Sequence, residues 1–481
     1  MAQEQGITIK KEEDFSEWYT QVITKAQLID YTDVSGCYVF RPRSYAIWEI
    51  IQSFMNKEIK KRGVKNSYFP LFIPESLLLK EKEHVQGFTP EVAWVTHSGE
   101  TELSERLAVR PTSETIMYAS FKKWVRSYND LPLKINQWCN VVRWEFKNPV
   151  PFLRSREFLW QEGHTIYSNK EDADNEVRDI LHLYKKVFEE LLAVPVWEGI
   201  KSENEKFAGA DYTTSIETFL PIGKGIQCAT SHSLGQNFSK AFDITFIDKD
   251  EKIKHAWQNS WGLSTRSIGI MVMYHSDNKG LILPPKVAEN KCVLIPIIFE
   301  GKKEMLLKKC IEIKNMLNEN SDLNIFIDDD EQHSPGWKFS EWEMKGIPIR
   351  LELGPKDLEK DQVVVVRRDT GEKLFVKCLE LKNKINEVLI EIHNNLFSKA
   401  KKFISDNTTE TKNWEEIVKL VENKKLVKTV WCQNSKCEDL MKEKLGGAKT
   451  LNMPFEQSKI EGVCAHCKSP GKSWVMIGKS Y

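Results

Sequence analysis

The sequence predicts a multidomain α/β protein, and three observations support this fold class. The chain has 481 residues, a length typical of roughly two to four domains. Segments with helical periodicity alternate with short apolar runs typical of strands along most of the chain. Close pairs of cysteines occur only near the C-terminus. We therefore predict three units, at residues 1–285, 286–400 and 401–481.

The first unit begins with two helical segments. Residues 14–30 have apolar residues at helical spacing. The segment after residue 42 has an apolar stripe and ends at Gly63, a residue suited to a helix C-terminus. The stripe consists of Trp48, Ile51, Phe54, Met55 and Ile59. Residues 64–74 are typical of a strand, but Pro70 places them at a sheet edge or a boundary. Residues 171–193 again predict an amphipathic helix.

The composition changes after Pro284 and Pro285, where short apolar strands begin to alternate with helices. The predicted strands are residues 291–299, 323–330, 347–354 and 362–369, and the predicted helices are residues 302–320 and 381–404. This alternation predicts a small α/β domain with a mixed sheet. A third unit begins between residues 401 and 406 and contains the paired cysteines.

Charge and composition exclude several functional classes. Lys plus Arg equals Asp plus Glu at 69 each, so a neutral chain must bind any nucleic acid through local basic patches. The sequence lacks an apolar run long enough for a membrane span. The acidic N-terminus resembles neither a signal nor a transit peptide, which predicts a cytoplasmic protein. Six dispersed cysteines indicate reduced core thiols: Cys37, Cys139, Cys228, Cys292, Cys310 and Cys378.

An Arg-x-Glu triplet formed by Arg143 and Glu145 precedes two further arginines, Arg154 and Arg156. They occupy a turn-like segment between two strand-like runs. The planar fork of an arginine can clamp a phosphate, and a glutamate on the same strand face can accept from an exocyclic amine. This pattern suits a site that grips both ends of ATP. A surface hairpin with ordinary charge pairs is the alternative interpretation.

Three more motifs accompany this hairpin. They are RPTSE at 110–114, IQCATSHSLGQNFSKAF at 226–242, and SWGLSTRSIGIMVMYH at 260–275, which contains Gly262 and Arg266. Together the four segments resemble class II aminoacyl-tRNA synthetases. The PTSE, WQEGHT and CATSH details resemble prolyl-tRNA synthetases of the archaeal and eukaryotic cytosolic type.

The resemblance implies an architecture and an activity. A class II antiparallel-sheet catalytic core would occupy residues 1–285, an α/β anticodon-binding domain residues 286–400, and an α+β zinc-binding domain residues 401–481. The implied activity is ATP-dependent ligation of L-proline to tRNA(Pro) through a prolyl-adenylate, with Mg²⁺. The helix after residue 42 and the strand around Pro70 resemble the class II dimer motif, which implies a homodimer. A core helix and a strand without that role remain the alternative.

Adenylate formation requires positioning and charge neutralisation rather than a general base, because the attacking carboxylate is already ionised. By resemblance, Arg143 and Arg266 are the catalytic arginines. The implied ATP-binding residues are Arg143, Glu145, Arg154, Phe158, Gln227, Thr230 and Arg266. For Gln227, a purely structural role on its strand is the alternative.

A proline site needs a carboxylate and a hydroxyl for the ammonium, and apolar walls for the ring. Thr112 and Glu114 alternate as they would on one face of a strand, and so do Trp160, Glu162 and His164. The implied proline-binding residues are Thr112, Glu114, Arg143, Trp160, Glu162, His164, Phe207 and His232. A buried hydrogen-bond network without a ligand is the alternative.

The C-terminal half has two further candidate sites. Glu343, Arg350 and Lys373 are the implied anticodon-binding residues, because Glu and Arg can pair with guanine edges; a charged sheet edge is the alternative. Four cysteines have the spacing of a structural zinc site, with His466 as a possible substitute ligand and free thiols as the alternative. The cysteines are Cys432, Cys437, Cys464 and Cys467.

Two other functions compete with this interpretation. A non-catalytic class II paralogue would be expected to lose the ATP arginines, yet Arg143, Arg154 and Arg266 are present. A class II enzyme for threonine would be expected to show a zinc set of Cys and His in its pocket, which Cys139 and Cys228 do not form; a serine enzyme is the other alternative in this class. The span between Glu145 and Arg266 is typical of catalytic core, so we expect no inserted editing domain there.

Overall fold

The computed structural model describes residues 6–84, 91–145, 147–298, 301–319 and 321–481. The predicted units and elements also include residues 1–5, 85–90, 146, 299–300 and 320, which lie outside the described residues. Among the described residues, no helix combines the length and the apolar character that crossing a bilayer requires.

The N-terminal part contains most of the helices and strands. Its helices are α1 (Phe15–Lys25), α2 (Pro42–Lys61), α3 (Glu75–His84), α4 (Glu114–Trp124), α5 (Lys170–Lys186), α6 (Asn237–Ala241) and α7 (Arg266–His275). Its strands are β1 (Ile29–Tyr31), β2 (Tyr38–Phe40), β3 (Lys65–Asn66), β4 (Phe72–Pro74), β5 (Trp94–Ser98), β6 (Thr101–Val109), β7 (Leu133–Val142), β8 (Glu157–Tyr167), β9 (Trp197–Ile200), β10 (Tyr212–Leu220), β11 (Lys224–Gly235), β12 (Thr245–Ile247), β13 (Ile253–His255) and β14 (Trp257–Ser264).

The middle part is the predicted α/β domain with a mixed sheet. Its helices are α8 (Lys303–Asn318), α9 (Pro335–Met344), α10 (Pro355–Glu359) and α11 (Leu381–Asp406). Its strands are β15 (Cys292–Pro296), β16 (Ile325–Ile327), β17 (Ile349–Leu353), β18 (Gln362–Arg367) and β19 (Lys373–Lys377). They form a sheet of order β16-β15-β17-β18-β19. The first three strands are parallel and the last two antiparallel, which confirms the mixed sheet.

The C-terminal part forms a four-stranded sheet of order β20-β21-β24-β22. Its helices are α12 (Trp414–Glu422) and α13 (Ser435–Lys444), and its strands are β20 (Thr408–Glu410), β21 (Leu426–Trp431), β22 (Lys449–Thr450), β23 (Met453–Pro454) and β24 (Ser473–Gly478). Strand β23 leaves this sheet and pairs with β9 of the N-terminal part. The C-terminal part thus adds an edge strand to the central sheet.

The central sheet has eight strands in the order β23-β9-β10-β11-β14-β8-β7-β3. All neighbouring strands are antiparallel except β3, which runs parallel to β7. This arrangement places β8, β11 and β14 side by side in the middle of the sheet. Half of the residues predicted to bind ATP or proline lie on two of them: Phe158, Trp160, Glu162 and His164 on β8, and Gln227, Thr230 and His232 on β11.

Helix α2 confirms the predicted helix, but its apolar stripe needs no partner chain. Trp48, Ile51, Met55 and Ile59 are buried in the chain's own main core, because α2 packs with α7 and with the π-helical segment Val187–Leu191 that follows α5. Gly63 has a φ of 78°, a conformation that favours glycine at a helix end.

The predicted strand over residues 64–74 is interrupted. Strand β3 ends at Asn66 and β4 starts at Phe72, and the two strands belong to different sheets. Pro70 lies between them, because proline cannot donate to a ladder of backbone hydrogen bonds.

Helix α11 passes through the boundary predicted between residues 400 and 401. Its last turn stays helical because Phe403 and Ile404 pack against Phe219 of β10 and Leu426 of β21. The chain changes unit only after Asp406, where β20 begins.

Candidate active site

A cavity of about 300 Å³ opens on one face of the central sheet. It gathers almost every residue predicted to bind ATP or proline; Glu145 and Arg154 are the exceptions. The predicted residues that line it are Thr112, Glu114, Arg143, Phe158, Trp160, Glu162, His164, Phe207, Gln227, Thr230, His232 and Arg266. Five separate stretches of the sequence therefore converge on one cleft.

Strand β8 builds one wall of the cavity, as its alternation predicted. Trp160, Glu162 and His164 line the cavity, because side chains two residues apart on a strand project from the same face. Glu162 is 2% exposed and is held by a dense network. Its carboxylate accepts hydrogen bonds from the Ser113 amide at 3.2 Å and from Gln137 Nε2 at 3.0 Å.

His164 completes this network with its Nε2 3.2 Å from Glu162 Oε2. Burial favours the neutral form of both groups, but their mutual contact outweighs it. The pKa of Glu162 is therefore held below its ordinary value, and the pKa of His164 is raised by Glu162 and by nearby Glu114. The contact therefore favours the charged form of both groups in the wall of the cavity.

The pKa of His232 shifts in the opposite direction from that of His164. Burial, with His164 and Arg143 as cationic neighbours, lowers the pKa of His232 to about 3, so this imidazole is neutral. Its Nδ1 lies 2.9 Å from Thr213 Oγ1, and its ring centroid lies 4.8 Å from that of Phe207. His232 and Phe207 thus form an uncharged wall suited to an apolar ring.

Thr112 and Glu114 do not lie on a strand, so this part of the prediction is wrong. Strand β6 ends at Val109, and Glu114 is the first residue of α4. The two side chains nevertheless meet, because Thr112 Oγ1 donates to Glu114 Oε2. Both side chains are buried, and together they present a carboxylate and a hydroxyl to the cavity.

Arg143 follows directly after β7, in an irregular segment rather than in a strand. Its Nε donates to Pro111 O at 3.0 Å. Its guanidinium carbon lies 5.5 Å from the ring centroid of Phe158 and 5.2 Å from that of Trp160. Stacking on two aromatic faces fixes the planar fork at the rim of the cavity.

Arg266 approaches from the opposite side, as the first residue of α7. Its Nε donates to Leu153 O at 3.1 Å and its Nη1 to Gln227 O at 3.2 Å. Burial, together with the nearby Arg154 and Arg143, lowers the pKa of Arg266. Three arginines that repel each other make this part of the site favourable for a polyanion.

The structure does not place Glu145 and Arg154 in the cavity lining. Glu145 is exposed, and Arg154 has its guanidinium carbon 5.8 Å from the ring centroid of Tyr481. The Arg-x-Glu spacing put Glu145 beside Arg143, but the strand that would align the two side chains ends at Val142.

The C-terminus is a part of the site that sequence reasoning missed. Tyr481 and Ser480 line a cavity of about 170 Å³. That cavity shares Glu205, Gln227 and Arg266 with the larger one. The Tyr481 amide donates to Gly225 O at 3.0 Å, so the chain end is anchored on β11. No local pattern signals a contact between residues so distant in sequence.

The four C-terminal cysteines converge as predicted. One sulfur atom from each of Cys432, Cys437, Cys464 and Cys467 lies within 4.8 Å of the others. The Cys432–Cys467 and Cys437–Cys464 sulfur distances are 3.5 and 3.8 Å. A tetrahedral zinc with Zn–S bonds near 2.3 Å requires sulfur separations of about 3.8 Å, so the donor set fits the ion. His466 Nδ1 is 3.4 Å from Cys437 Sγ, beside the cluster.

The predicted anticodon residues divide into two places. Arg350 on β17 and Lys373 on β19 are both opposite Val366 of β18, and both contact Glu352, at 2.9 and 3.4 Å. They form one polar strip across the sheet. Glu343 lies on α9 and pairs with Lys279 at 3.0 Å, so its carboxylate is engaged with the N-terminal part.

The fold combines an antiparallel sheet, on which arginines flank a pocket, with a mixed α/β domain. This combination is typical of one class of protein, and the family matches identify it. Residues 94–275 match the family described as tRNA synthetase class II core domain (G, H, P, S and T), and residues 291–388 match the anticodon binding domain. Residues 414–481 match the family described as prolyl-tRNA synthetase, C-terminal. The chain belongs to the prolyl-tRNA synthetase family of class II aminoacyl-tRNA synthetases.

Relatives from distant organisms cover the whole chain. It is 50% identical to proline–tRNA ligase, cytoplasmic, of Arabidopsis thaliana, over 99% of this chain and 91% of that protein. It is 51% identical to proline–tRNA ligase 2 of Bacillus thuringiensis subsp. konkukian over 100% of both chains. It is 49% identical to the bifunctional glutamate/proline–tRNA ligase of Cricetulus griseus, of which it spans 33%. The predicted archaeal and eukaryotic type is consistent with the plant and hamster relatives.

Proposed function

We propose that this protein is a proline–tRNA ligase, which joins L-proline to tRNA(Pro) with ATP and releases AMP and diphosphate. The single observation that carries the proposal is the cleft itself. Arg143 and Arg266 line the same cavity as Glu114, Thr112, Phe207 and His232, so the two arginines would bind an anion beside a pocket for a ring amine. That combination suits an amino acid carboxylate facing a triphosphate, with a ring buried behind it.

In the first step a proline carboxylate oxygen bonds to the α-phosphorus of ATP, and the bond from that phosphorus to the bridging oxygen breaks as diphosphate leaves. The attacking oxygen is already ionised, so no residue must remove a proton. Arg143, stacked on Phe158 and Trp160, holds the carboxylate and the α-phosphate in line, and Arg266 neutralises the other side of the nucleotide. Both roles are positioning and charge stabilisation.

Proline recognition follows from the buried groups. The ring amine is a secondary ammonium at neutral pH, and Glu114 with Thr112 supplies the anion and the hydroxyl for it. Glu162 already accepts from Ser113, Gln137 and His164, so we assign it to holding the pocket's shape. Trp160, Phe207 and His232 surround the ring.

The adenylate then reacts with tRNA. A terminal ribose hydroxyl attacks the activated carbonyl, and the bond from that carbon to the phosphate oxygen breaks. AMP leaves with the electron pair, and its phosphate takes the hydroxyl proton. We assign Arg350 and Lys373 to the anticodon, because their polar strip lies on an anticodon binding domain. The pairing of Glu343 with Lys279 means that Glu343 must exchange a partner before it can contact a base.

Two metal ions belong to the proposal. Mg²⁺ would enter with the ATP phosphates and neutralise their charge when bound. Gln227, which lines both cavities beside Arg266, would hold it together with Thr230 of the same wall. Zn²⁺ would be held by the four C-terminal cysteines as a closed structural site, because four protein ligands leave no position for water.

We expect one equivalent of zinc per chain by elemental analysis. Cys437→Ser should lose the metal and destabilise the C-terminal part, because zinc binding and folding are coupled in such sites. Cys37→Ser is the matched control, since Cys37 lies outside the cluster, and it should keep its zinc. Metal-free wild-type protein from zinc-replete cells would contradict the assignment.

We further propose a cytoplasmic homodimer. With the α2 stripe buried in the core, the support comes from exposed apolar side chains around the motif that resembles the dimer interface. These are Tyr31, Val39, Tyr45, Tyr68 and Phe72. Light scattering should give twice the chain mass of 55.9 kDa. Tyr68→Asp should dissociate the dimer. Ile253→Asp, which changes an exposed apolar residue distant from this motif, should leave the dimer intact.

Diphosphate exchange with each of the twenty amino acids tests the function. Proline should dominate. Alanine should give weak exchange, because a pocket shaped for the ring cannot exclude a smaller side chain and each lost methylene discriminates by roughly 10- to 200-fold. We also expect no hydrolysis of alanyl-tRNA, since the span between the hairpin and Arg266 is catalytic sheet rather than an inserted domain. Preference for threonine or serine, or no exchange at all, would overturn the proposal.

A further inference from the structure

Residues 201–211, here called the pocket loop, connect β9 to β10 and close one side of the cavity. Glu205, Lys206 and Phe207 of this loop line the cleft. The Phe207 amide donates to Thr213 Oγ1 at 2.9 Å, and Thr213 in turn contacts His232. The loop thus carries a wall of the proposed proline site although it is irregular backbone.

The other side of the pocket loop is held by the C-terminal part. Ser202 Oγ donates to Glu438 Oε1 at 2.7 Å, and Thr450 Oγ1 donates to the same oxygen. Glu438 is 3% exposed and lies on α13, one residue after Cys437. Asn204 Nδ2 donates to Ser435 O at 3.2 Å. The first turn of α13 therefore contacts the loop through one buried hydrogen bond, from Ser202 to Glu438, and one exposed hydrogen bond, from Asn204 to Ser435.

Two lysines make further contacts between the same parts. Lys449 of β22 pairs with Glu205, whose side chain lines the cavity. Lys201 Nζ donates to Leu451 O at 2.6 Å and contacts Glu217 at 2.6 Å. The Lys449–Glu205 pair is partly exposed, with side chains 29% and 18% accessible. Such pairs contribute little to global stability, so its effect is to fix where Glu205 and its loop lie.

We propose that Glu438 and Lys449 are positioning residues for the proline pocket, and that the C-terminal part holds the pocket loop in its binding conformation. The inference rests on the proposed function, because it assigns the loop to the amino acid subsite. A loop released from these contacts would populate open conformations. Only the closed fraction of the protein would bind proline. The apparent Kd for proline would then equal the intrinsic Kd divided by that fraction. Arg143 and Arg266 lie outside the pocket loop, so the affinity for ATP would change little.

The test compares Lys449→Met with Lys449→Arg and with Lys442→Met. Lys442 is exposed on α13, in the same part of the chain, and is the matched control. In diphosphate exchange, Lys449→Met should raise the KM for proline by about tenfold with the KM for ATP unchanged. Lys449→Arg should restore the wild-type value, and Lys442→Met should equal wild type. Glu438→Ala, which removes the oxygen that accepts from Ser202 and Thr450, should act like Lys449→Met while retaining zinc.

A second readout does not require activity. A lysine-specific protease should cut after Lys206 faster in Lys449→Met than in wild type or Lys442→Met, and proline should protect all of them. Equal rises in both KM values, or unchanged KM and unchanged cleavage, would overturn the inference. Wild-type protein that lacks proline-dependent exchange would instead overturn the proposed function, while the cleavage rates would still report whether the C-terminal part holds the loop.

Discussion

Replacing Arg143 by alanine is expected to lower proline-dependent diphosphate exchange by about 10²- to 10³-fold, the usual cost of removing one donor that stabilises developing charge. The guanidinium is fixed by Pro111 O at 3.0 Å and by two aromatic faces, so it acts without reorganising. Most of the loss should appear in kcat, because the contact tightens as charge redistributes in the transition state. Steady-state exchange with both substrates varied measures this split.

Two controls separate this effect from misfolding. Arg126→Ala removes an exposed arginine of the same part of the chain and should leave exchange unchanged. Arg143→Lys keeps the charge but loses the planar fork, and should recover only part of the activity. A folded Arg143→Ala variant with near-normal exchange would contradict the catalytic role of this residue.

The alternation of side chains in the sequence predicted the site correctly where the site residues lie on a single strand. Trp160, Glu162 and His164 lie on β8 with the predicted alternation, because the period of a strand depends on backbone geometry alone. The same rule failed for Thr112 and Glu114, and the reason lies in remote contacts. Arg110 is 1% exposed and donates to Phe69 O at 2.7 Å and to Asn140 O at 2.9 Å.

Those two partners are distant in sequence, so nothing local shows that Arg110 binds them. Their hydrogen bonds with Arg110 fix the chain between the end of β6 and the start of α4. The contribution of the C-terminal part to the cleft was hidden for the same reason. Strand β23 joins the central sheet at β9, and Tyr481 reaches Gly225. No periodic pattern in the sequence indicates either contact. The zinc cysteines could be predicted because the spacing within each cysteine pair is a local sequence pattern.

Glu114→Gln is expected to raise the KM for proline by about 10- to 100-fold, since a hydrogen bond to a charged group is worth about 1.5–3 kcal/mol. The amide has the same shape and can still accept from Thr112 Oγ1, which holds Glu114 now. Only the charge that faces the ammonium is removed. The KM for ATP should remain near that of wild type, and the proline KM measured by diphosphate exchange gives the result.

The matched control is Glu176→Gln. Glu176 is also buried in the N-terminal part, where it contacts Thr165 and Asn259 rather than the cavity, and burial raises its pKa. Because its charge is already disfavoured, neutralising it should leave the KM for proline unchanged. If Glu162→Gln raised that KM while Glu114→Gln did not, the carboxylate that binds the ammonium would be Glu162. The hydrogen bonds from Ser113, Gln137 and His164 would then have to rearrange when proline enters.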